Sequence, residues 1–352
     1  MTRFSILDAA SVDDRQKWMA HWENWPDREV FAHPAYVALF CKPCQRALCA
    51  VLESDEGACV LFPFIQRPLE QENWAKGRAD GASDLITPYG YGGAYDLGGG
   101  AAHAATFWEA FDAWCADHQV VTAFARLSLF DDQIIPFRGD VAEKGLNIVR
   151  RLDLDEEALW KDYAHAIRKA VNQARRAGLE VEVDLHGTRL DDFLDIYAGT
   201  MDRREASSSY YFPREFFECI IAELPGCFAF FHILSEGEVV STELVLVSAH
   251  HIYSFLGGTR SEAFKQRPNN LLKHEVIRWG MAGGKTSFVL GGGYHPDDGI
   301  YRYKRAFAPD GAVAFKVGCR TFDAKAVEGL VEMRSARESA WSPAKDYFPP
   351  YR

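Results

Sequence analysis

The sequence predicts an α+β fold of two related halves, each a mixed, mostly antiparallel sheet flanked by helices. Three observations point to it. In the second half the elements run helix, helix, three antiparallel strands, helix, strand, strand, which is not the alternation of a doubly wound parallel sheet. The first half can be laid on a looser version of the same plan, although no repeat at the letter level accompanies it. A length of 352 residues with 48% hydrophobic and 25% charged content suits two globular cores. The halves are set at 1–152 and 153–322, with a terminal helix and tail over 323–352.

In the first half, 11–22 and 34–40 read as helices, and 47–52 and 59–64 as strands joined at the Asp55-Glu-Gly57 turn. A helix over 101–118 gathers Phe107, Phe111 and Trp114 on one face, and strands over 120–127 and 146–154 follow. The second half opens on a helix over 156–177. There Leu159, Tyr163, Ile167, Val171 and Ala174 recur at helical spacing and Gly178 supplies the stop. A strand over 179–183 leads to helices over 189–203 and 213–224; Pro213 opens the latter, where its missing N–H costs nothing. Strands over 228–234, 239–247 and 251–256 come next, the first two joined at Glu236-Gly-Glu238. A helix over 270–282, strands over 286–290 and 312–320, and a helix over 323–338 complete the chain.

Several function classes fall away. No apolar run approaches the ~18 residues a membrane helix needs. The N-terminal segment lacks a long apolar region and a small-residue cleavage site, so a cytoplasmic location is expected. A formal charge of −11 argues against a general nucleic-acid coat. The eight cysteines follow no disulfide framework, and Cys41-Lys-Pro-Cys44 lacks the second pair a zinc site would want, so no metal is expected. Gly284-Lys-Thr286 resembles the end of a phosphate loop, but Trp279 stands where the first glycine belongs and the segment runs from helix to strand. Gly90, Gly92 and Gly93 leave a dinucleotide fingerprint unfinished at Tyr95.

Four segments carry candidate chemistry. A glycine run, Gly291-Gly-Gly293, follows an apolar strand and precedes Lys304, which sits among Tyr301, Tyr303 and Phe307. Glycines let backbone approach a ligand, and a lysine among aromatics keeps a mobile charge at a partly desolvated surface. This pattern suits a cleft for an anion, or for a group that becomes anionic during reaction; equally it suits a glycine connection and a snorkelling lysine. His295, in the same segment, could act as a base. The stretch from Thr87-Pro-Tyr-Gly-Tyr-Gly-Gly93 to Asp96 alternates aromatics with glycines, so Tyr89 and Tyr91 could line a cleft or simply pack a tight hairpin. Arg168, Lys169, Arg175 and Arg176 share one polar side of a helix, a candidate contact for a phosphate backbone or a solvated face. Arg204 ends a helix and could clamp a carboxylate or phosphate, with capping as the simpler role.

These pieces together resemble one family. The helix from Ile167-Arg-Lys-Ala-Val-Asn-Gln-Ala-Arg-Arg-Ala-Gly178 resembles the start of the second domain of the Fem-type transferases. So does Tyr253-Ser-Phe-Leu-Gly-Gly-Thr259, followed by Pro268-Asn-Asn-Leu-Leu272. Gly299-Ile-Tyr-Arg-Tyr-Lys-Arg-Ala-Phe307 looks like that family's closing Gly-Leu-x-x-Phe-Lys-x-x-Phe. The match covers about residues 155–320.

The resemblance implies tandem GNAT-like domains that move an amino acid from aminoacyl-tRNA to an amine, typically of a peptidoglycan precursor. It implies aminoacyl-tRNA as co-substrate, no bound cofactor, and an amine-bearing small molecule or cell-wall precursor as acceptor. On this chain Lys304 matches the lysine near the transferring ester, Tyr253 a substrate-lining strand tyrosine, and Asn269 belongs to a substrate-side motif. The proton of the amine would pass to Asp96, His295 or a substrate phosphate. A CoA-dependent N-acyltransferase of the same fold is the alternative, as is a catalytically silent binding protein. Against CoA, the segment Lys265-Gln-Arg-Pro-Asn-Asn-Leu271 lacks both glycines of the pyrophosphate turn, and Pro268 removes a donor.

Overall fold

The computed structural model describes residues 2–77, 79, 81–293, 295, 297–345 and 347–352. The chain divides into two compact units, Met1–Lys144 with Phe315–Arg352, and Gly145–Ala314. The first unit begins with β1 (Arg3–Asp8), α1 (Val12–Asn24), α2 (Pro34–Leu39), β2 (Arg46–Ser54) and β3 (Gly57–Pro68). It continues with β4 (Ser83–Ile86), β5 (Tyr95–Asp96), α3 (Gly100–Asp117) and β6 (Val120–Arg126). Strands β1 to β4 pair antiparallel in chain order, whereas β4 and β6 are parallel. Ser11 caps α1, its hydroxyl accepting from the Asp14 N–H, and Pro34 opens α2. Helix α3 lays Phe107, Trp108 and Phe111 on Phe62 and Phe64 of β3, the centre of this unit's core.

Strand β7 (Asp140–Arg151) carries the chain into the second unit. There follow α4 (Glu156–Asp162), α5 (His165–Arg176), β8 (Glu180–Asp184), α6 (Leu190–Arg203), α7 (Arg214–Glu223) and β9 (Phe228–Ser235). Then come β10 (Glu238–Val247), β11 (His251–Thr259), α8 (Pro268–Ala282), β12 (Ser287–Gly291) and α9 (Gly299–Arg305). The sheet runs β7-β12-β11-β10-β9-β8, antiparallel except for the parallel pair β11–β12. Its core joins Val171 and Ala174 of α5 to Leu272, Val276 and Ile277 of α8 and to Phe231 and Val245 of the sheet. The chain returns to the first unit through β13 (Ala312–Thr321), which pairs with β6 over Val317–Thr321, and ends with α10 (Ala324–Arg337) and its tail. Each unit is thus a mixed, mostly antiparallel sheet flanked by helices.

Three features differ from the sequence-based expectations. The division falls at 144/145 and 314/315 rather than at 152/153 and 322/323, and the tail is part of the first unit rather than a separate segment. The reasons are pairing and packing: Ile148–Arg151 belongs to the sheet through β12, while Leu330 and Tyr351 pack with Leu69, Trp74 and Val121. The helix over 156–177 is two helices. Tyr163 and Ala164 are extended, the Ala164 N–H donates to Ala306 O (2.9 Å), and the Tyr163 ring packs on His274 and Phe307. Tertiary partners here override a periodicity that is locally helical. Strands β1, β4 and β5 and the seven-residue α9 were not anticipated. Among the described residues, no helix is long and apolar enough to cross a membrane.

Candidate functional site

Strand β11 has nine residues, but its parallel pairing with β12 covers His251–Tyr253 against Ser287–Val289 alone. Beyond Tyr253 the strand continues on the β10 side, from Ser254 opposite Val245 to Thr259 opposite Ser241. Strand β12 instead ends at Gly291, whose positive φ (79°) turns the chain. The following glycines are packed against protein atoms. A Cβ at Gly292 would lie 2.9 Å from Leu146 O and from Asn147 Oδ1, and one at Gly293 would lie 2.5 Å from Asp298 Oδ1. The glycine run therefore admits Asn147 and Asp298, rather than leaving the open approach its composition suggested. Tyr294 and Pro296 of this segment lie outside the described residues.

Asp298 caps α9, with Oδ1 accepting from Tyr301 N–H (2.7 Å) and Oδ2 from His295 N–H (3.2 Å). One turn on, the Lys304 ammonium donates to Gly292 O (2.7 Å). Burial pushes this lysine down to about 8; the Lys273 charge pushes the same way, against Glu243 and Asp298. Lys273 of α8 and Glu243 of β10 form a buried ion pair, and Ser254 Oγ lies 2.8 Å from the Lys273 ammonium. Sequence reading missed both charged residues.

A cavity of about 940 Å³ opens in this unit, lined by Arg204, Ser207, Asn269, His295, Asp298 and Tyr303 among others. The structure thus brings together four of the residues singled out in the sequence: Arg204, Asn269, His295 and Tyr303. The Arg204 guanidinium has no ion-pair or hydrogen-bond partner among the described residues. The Tyr303 hydroxyl donates to Asn269 O (3.3 Å), and burial followed by the Glu243 charge holds it well above the ordinary phenol value. Lys304 is outside this lining, because successive helical residues turn to different sides. Tyr301 and Tyr253 are buried, Tyr301 in the core and Tyr253 in β11.

The basic helix face is smaller than its sequence implied. Arg168 turns back to donate to Lys161 O (2.7 Å) and Tyr163 O, closing the end of α4. Arg175 donates to His274 Nε2 (2.8 Å), pairs with Glu275 (3.4 Å) and covers the Trp160 ring. Burial and the charges of Arg175 and Arg278 push His274 down to about 3, so it stays a neutral acceptor. Lys169 and Arg176 are exposed, without partners among the described residues.

In the first unit, Tyr91 lies edge-on to Phe31 and Phe315, and Tyr89 is 41% exposed beside Phe40. Gly90 is required there: its φ is 108°, and a Cβ would meet Phe31 at 2.3 Å. Asp96 caps α3 instead of standing free as a base, accepting from the N–H groups of Gly98 (2.8 Å), Gly100 (2.7 Å) and Ala101 (3.1 Å). At the end of β6, against Thr87 of that loop, stands a residue the sequence did not mark. Arg126, half-buried over Phe124, donates to Thr87 O (3.1 Å) and has no carboxylate in ion-pair reach among the described residues.

Residues 161–305 match the acetyltransferase (GNAT) domain family. The fold of the whole chain is similar to that of FemX in its crystal structure, with a TM-score of 0.69, 11% identity, and coverage of 90% of this chain and 98% of that one. It is also similar to the C-terminal domain of a putative lysylphosphatidylglycerol synthetase from Agrobacterium fabrum (TM-score 0.56, 12% identity, covering 91% and 97%). A conserved protein of unknown function from Bacteroides thetaiotaomicron is comparable (TM-score 0.54, 12% identity, covering 91% and 99%). No curated protein sequence matches this chain.

Proposed function

We propose that this chain, an acyltransferase of the GNAT type with the FemX fold, moves an aminoacyl group from aminoacyl-tRNA to an amine of a small molecule or cell-wall precursor. The observation that carries this reading is the Lys304 ammonium, withdrawn from solvent, held on Gly292 O and pushed down to about 8. An aminoacyl ester is already activated, so the reaction needs positioning and charge more than a strong base. The neutral amine of the acceptor attacks the ester carbonyl carbon; a C–N bond forms and the carbonyl electron pair moves to oxygen. Lys304 donates to that oxyanion. As the intermediate collapses, the C–O bond to the ribose breaks and Lys304 protonates the departing oxygen. The proton shed by the attacking nitrogen leaves through His295 to solvent, from which Lys304 recovers its own.

Arg204, without a partner among the described residues, takes an anionic group of the substrate, with Asn269 and Tyr303 as the cavity wall. Lys169 and Arg176 are the charges left for the tRNA backbone. The connection from β11 to α8 supports a tRNA donor over CoA. It lacks the glycines of a pyrophosphate turn, and Arg267 itself is left-handed (φ 62°) before Pro268.

With radiolabelled aminoacyl-tRNA and a pool of small amines, label should move to an amine, and RNase treatment of the donor should abolish the transfer. Turnover of acyl-CoA without tRNA would overturn the reading. The pH profile supplies a second check. Lys304 acts in its protonated form, so the rate should carry a falling limb beginning near pH 8. Above it the rate should drop about tenfold per pH unit. A profile without that limb contradicts the acid role.

A further inference from the structure

Helix α6 ends on a residue that local physics disfavours. Arg204 caps the helix, and Glu205 follows in the left-handed region (φ 49°). The Glu205 N–H donates to Asp202 O (3.1 Å) and the Ala206 N–H to Met201 O (3.1 Å), the two bonds that close a helix around a left-handed residue. Glycine usually fills that position, because a Cβ is crowded there. A carboxylate is also badly placed at the negative end of the helix dipole, where cations are favoured. Glu205 stands there all the same, exposed, its carboxylate without a hydrogen-bond or ion-pair partner among the described residues. Arg204 is likewise exposed and without a partner, so two neighbouring opposite charges do not pair with each other. Both line the cavity of about 940 Å³, together with Ser207, Tyr210, Asn269 and Tyr303.

Backbone strain of this kind persists where a function holds it. A wall carrying one open cation and one open anion fits a ligand with the same two charges reversed. We propose that this cavity takes a free α-amino acid as the acceptor, its carboxylate on Arg204 and its α-ammonium on Glu205. This rests on the aminoacyl-transfer reading, in which Arg204 takes the anionic group of the substrate. An ammonium held by Glu205 keeps its proton, so it is not the nitrogen that attacks. The attacking nitrogen is a second amine, and the acceptor is therefore a diamino acid. Its side-chain nitrogen gains the acyl carbon and sheds a proton, the ribose oxygen leaves with one, and the zwitterionic end is unchanged.

Calorimetric titration of the full-length protein without tRNA tests the charge match. Lysine and ornithine carry both charges and a second amine; lysine amide replaces the carboxylate with a neutral group, and 6-aminohexanoate lacks the α-ammonium. One of the two diamino acids should bind about tenfold more tightly than either analogue. Arg204→Gln should abolish the preference over lysine amide, and Glu205→Gln the preference over 6-aminohexanoate. Glu205→Gly should lose that second preference too, while raising the thermal midpoint because it relieves the left-handed strain. A parent protein with no preference for either diamino acid, absent binding included, would overturn the proposal. So would a Glu205→Gly protein with a lowered midpoint, which would make the glutamate a structural residue. The titration needs no tRNA, so the two readings fail separately. Charge-matched binding without RNase-sensitive transfer sinks the donor assignment, and RNase-sensitive transfer without charge-matched binding sinks the amino-acid site.

Discussion

Lys304→Met is expected to slow aminoacyl transfer by roughly 10²–10³-fold, mostly in kcat, because in the proposed reaction it removes the donor to the developing oxyanion and leaving oxygen. Methionine keeps the length and apolar stem of the side chain, so α9 should retain its packing through Tyr301 and Phe307. Folding is therefore separable from chemistry, and an unchanged thermal midpoint beside the lost rate is the expected combination. Lys304→Arg sharpens the result. Arginine keeps its charge at every accessible pH, so any residual activity should lack the falling limb that begins near pH 8. A Lys304→Met enzyme within a few-fold of the parent would show that the reaction does not pass through this ammonium.

The second large effect is on stability, in the first unit. Asp84 is 0% exposed and accepts from Arg67 Nε (2.6 Å), Arg352 Nε (2.6 Å) and the Tyr351 hydroxyl (3.3 Å). Arg352 also pairs with Glu72, and Tyr351 shares a hydrogen bond with Thr122 Oγ1 (2.6 Å). One carboxylate thus ties β4 to β3, to β6 and to the last residues of the chain. Asp84→Ala strands the largely buried Arg67 guanidinium and leaves Arg352 with Glu72 alone, and breaking a buried pair from one side typically costs about 3–5 kcal/mol. The urea midpoint should fall accordingly, with the denaturant slope unchanged. A loss below about 1 kcal/mol would mean that both arginines find other partners.

What the sequence disclosed, and what it hid, divides along a physical line. Most strands and most helices were legible because their apolar periodicity reports burial directly; of the polar residues singled out, Arg204, Asn269, His295 and Tyr303 line one cavity. Lys273 and Glu243 were not legible. A lysine on a helix and a glutamate in a strand normally read as solvent-facing, and nothing at a separation of 30 residues announces that they meet inside. Asp96 resembled a free base because its partners are backbone N–H groups, which every residue carries and no letter reveals. Arg168 and Arg175 looked like two members of an open cationic face. Their actual partners, a helix-end carbonyl and the neutral ring of His274, depend on the break at Tyr163 and on α8. The membership of Tyr351 in the first unit's core was equally invisible, since a proline- and tyrosine-rich end gives no periodic signal.

The most direct test of the account is the chemical fate of the label in a single turnover. Protein in excess over an α-[¹⁴C]aminoacyl-tRNA, mixed with candidate amines, should convert the alkali-labile ester into an alkali-stable amide, with the release of uncharged tRNA. Label that stays alkali-labile with every amine tested, while an acyl-CoA yields the amide, would contradict it.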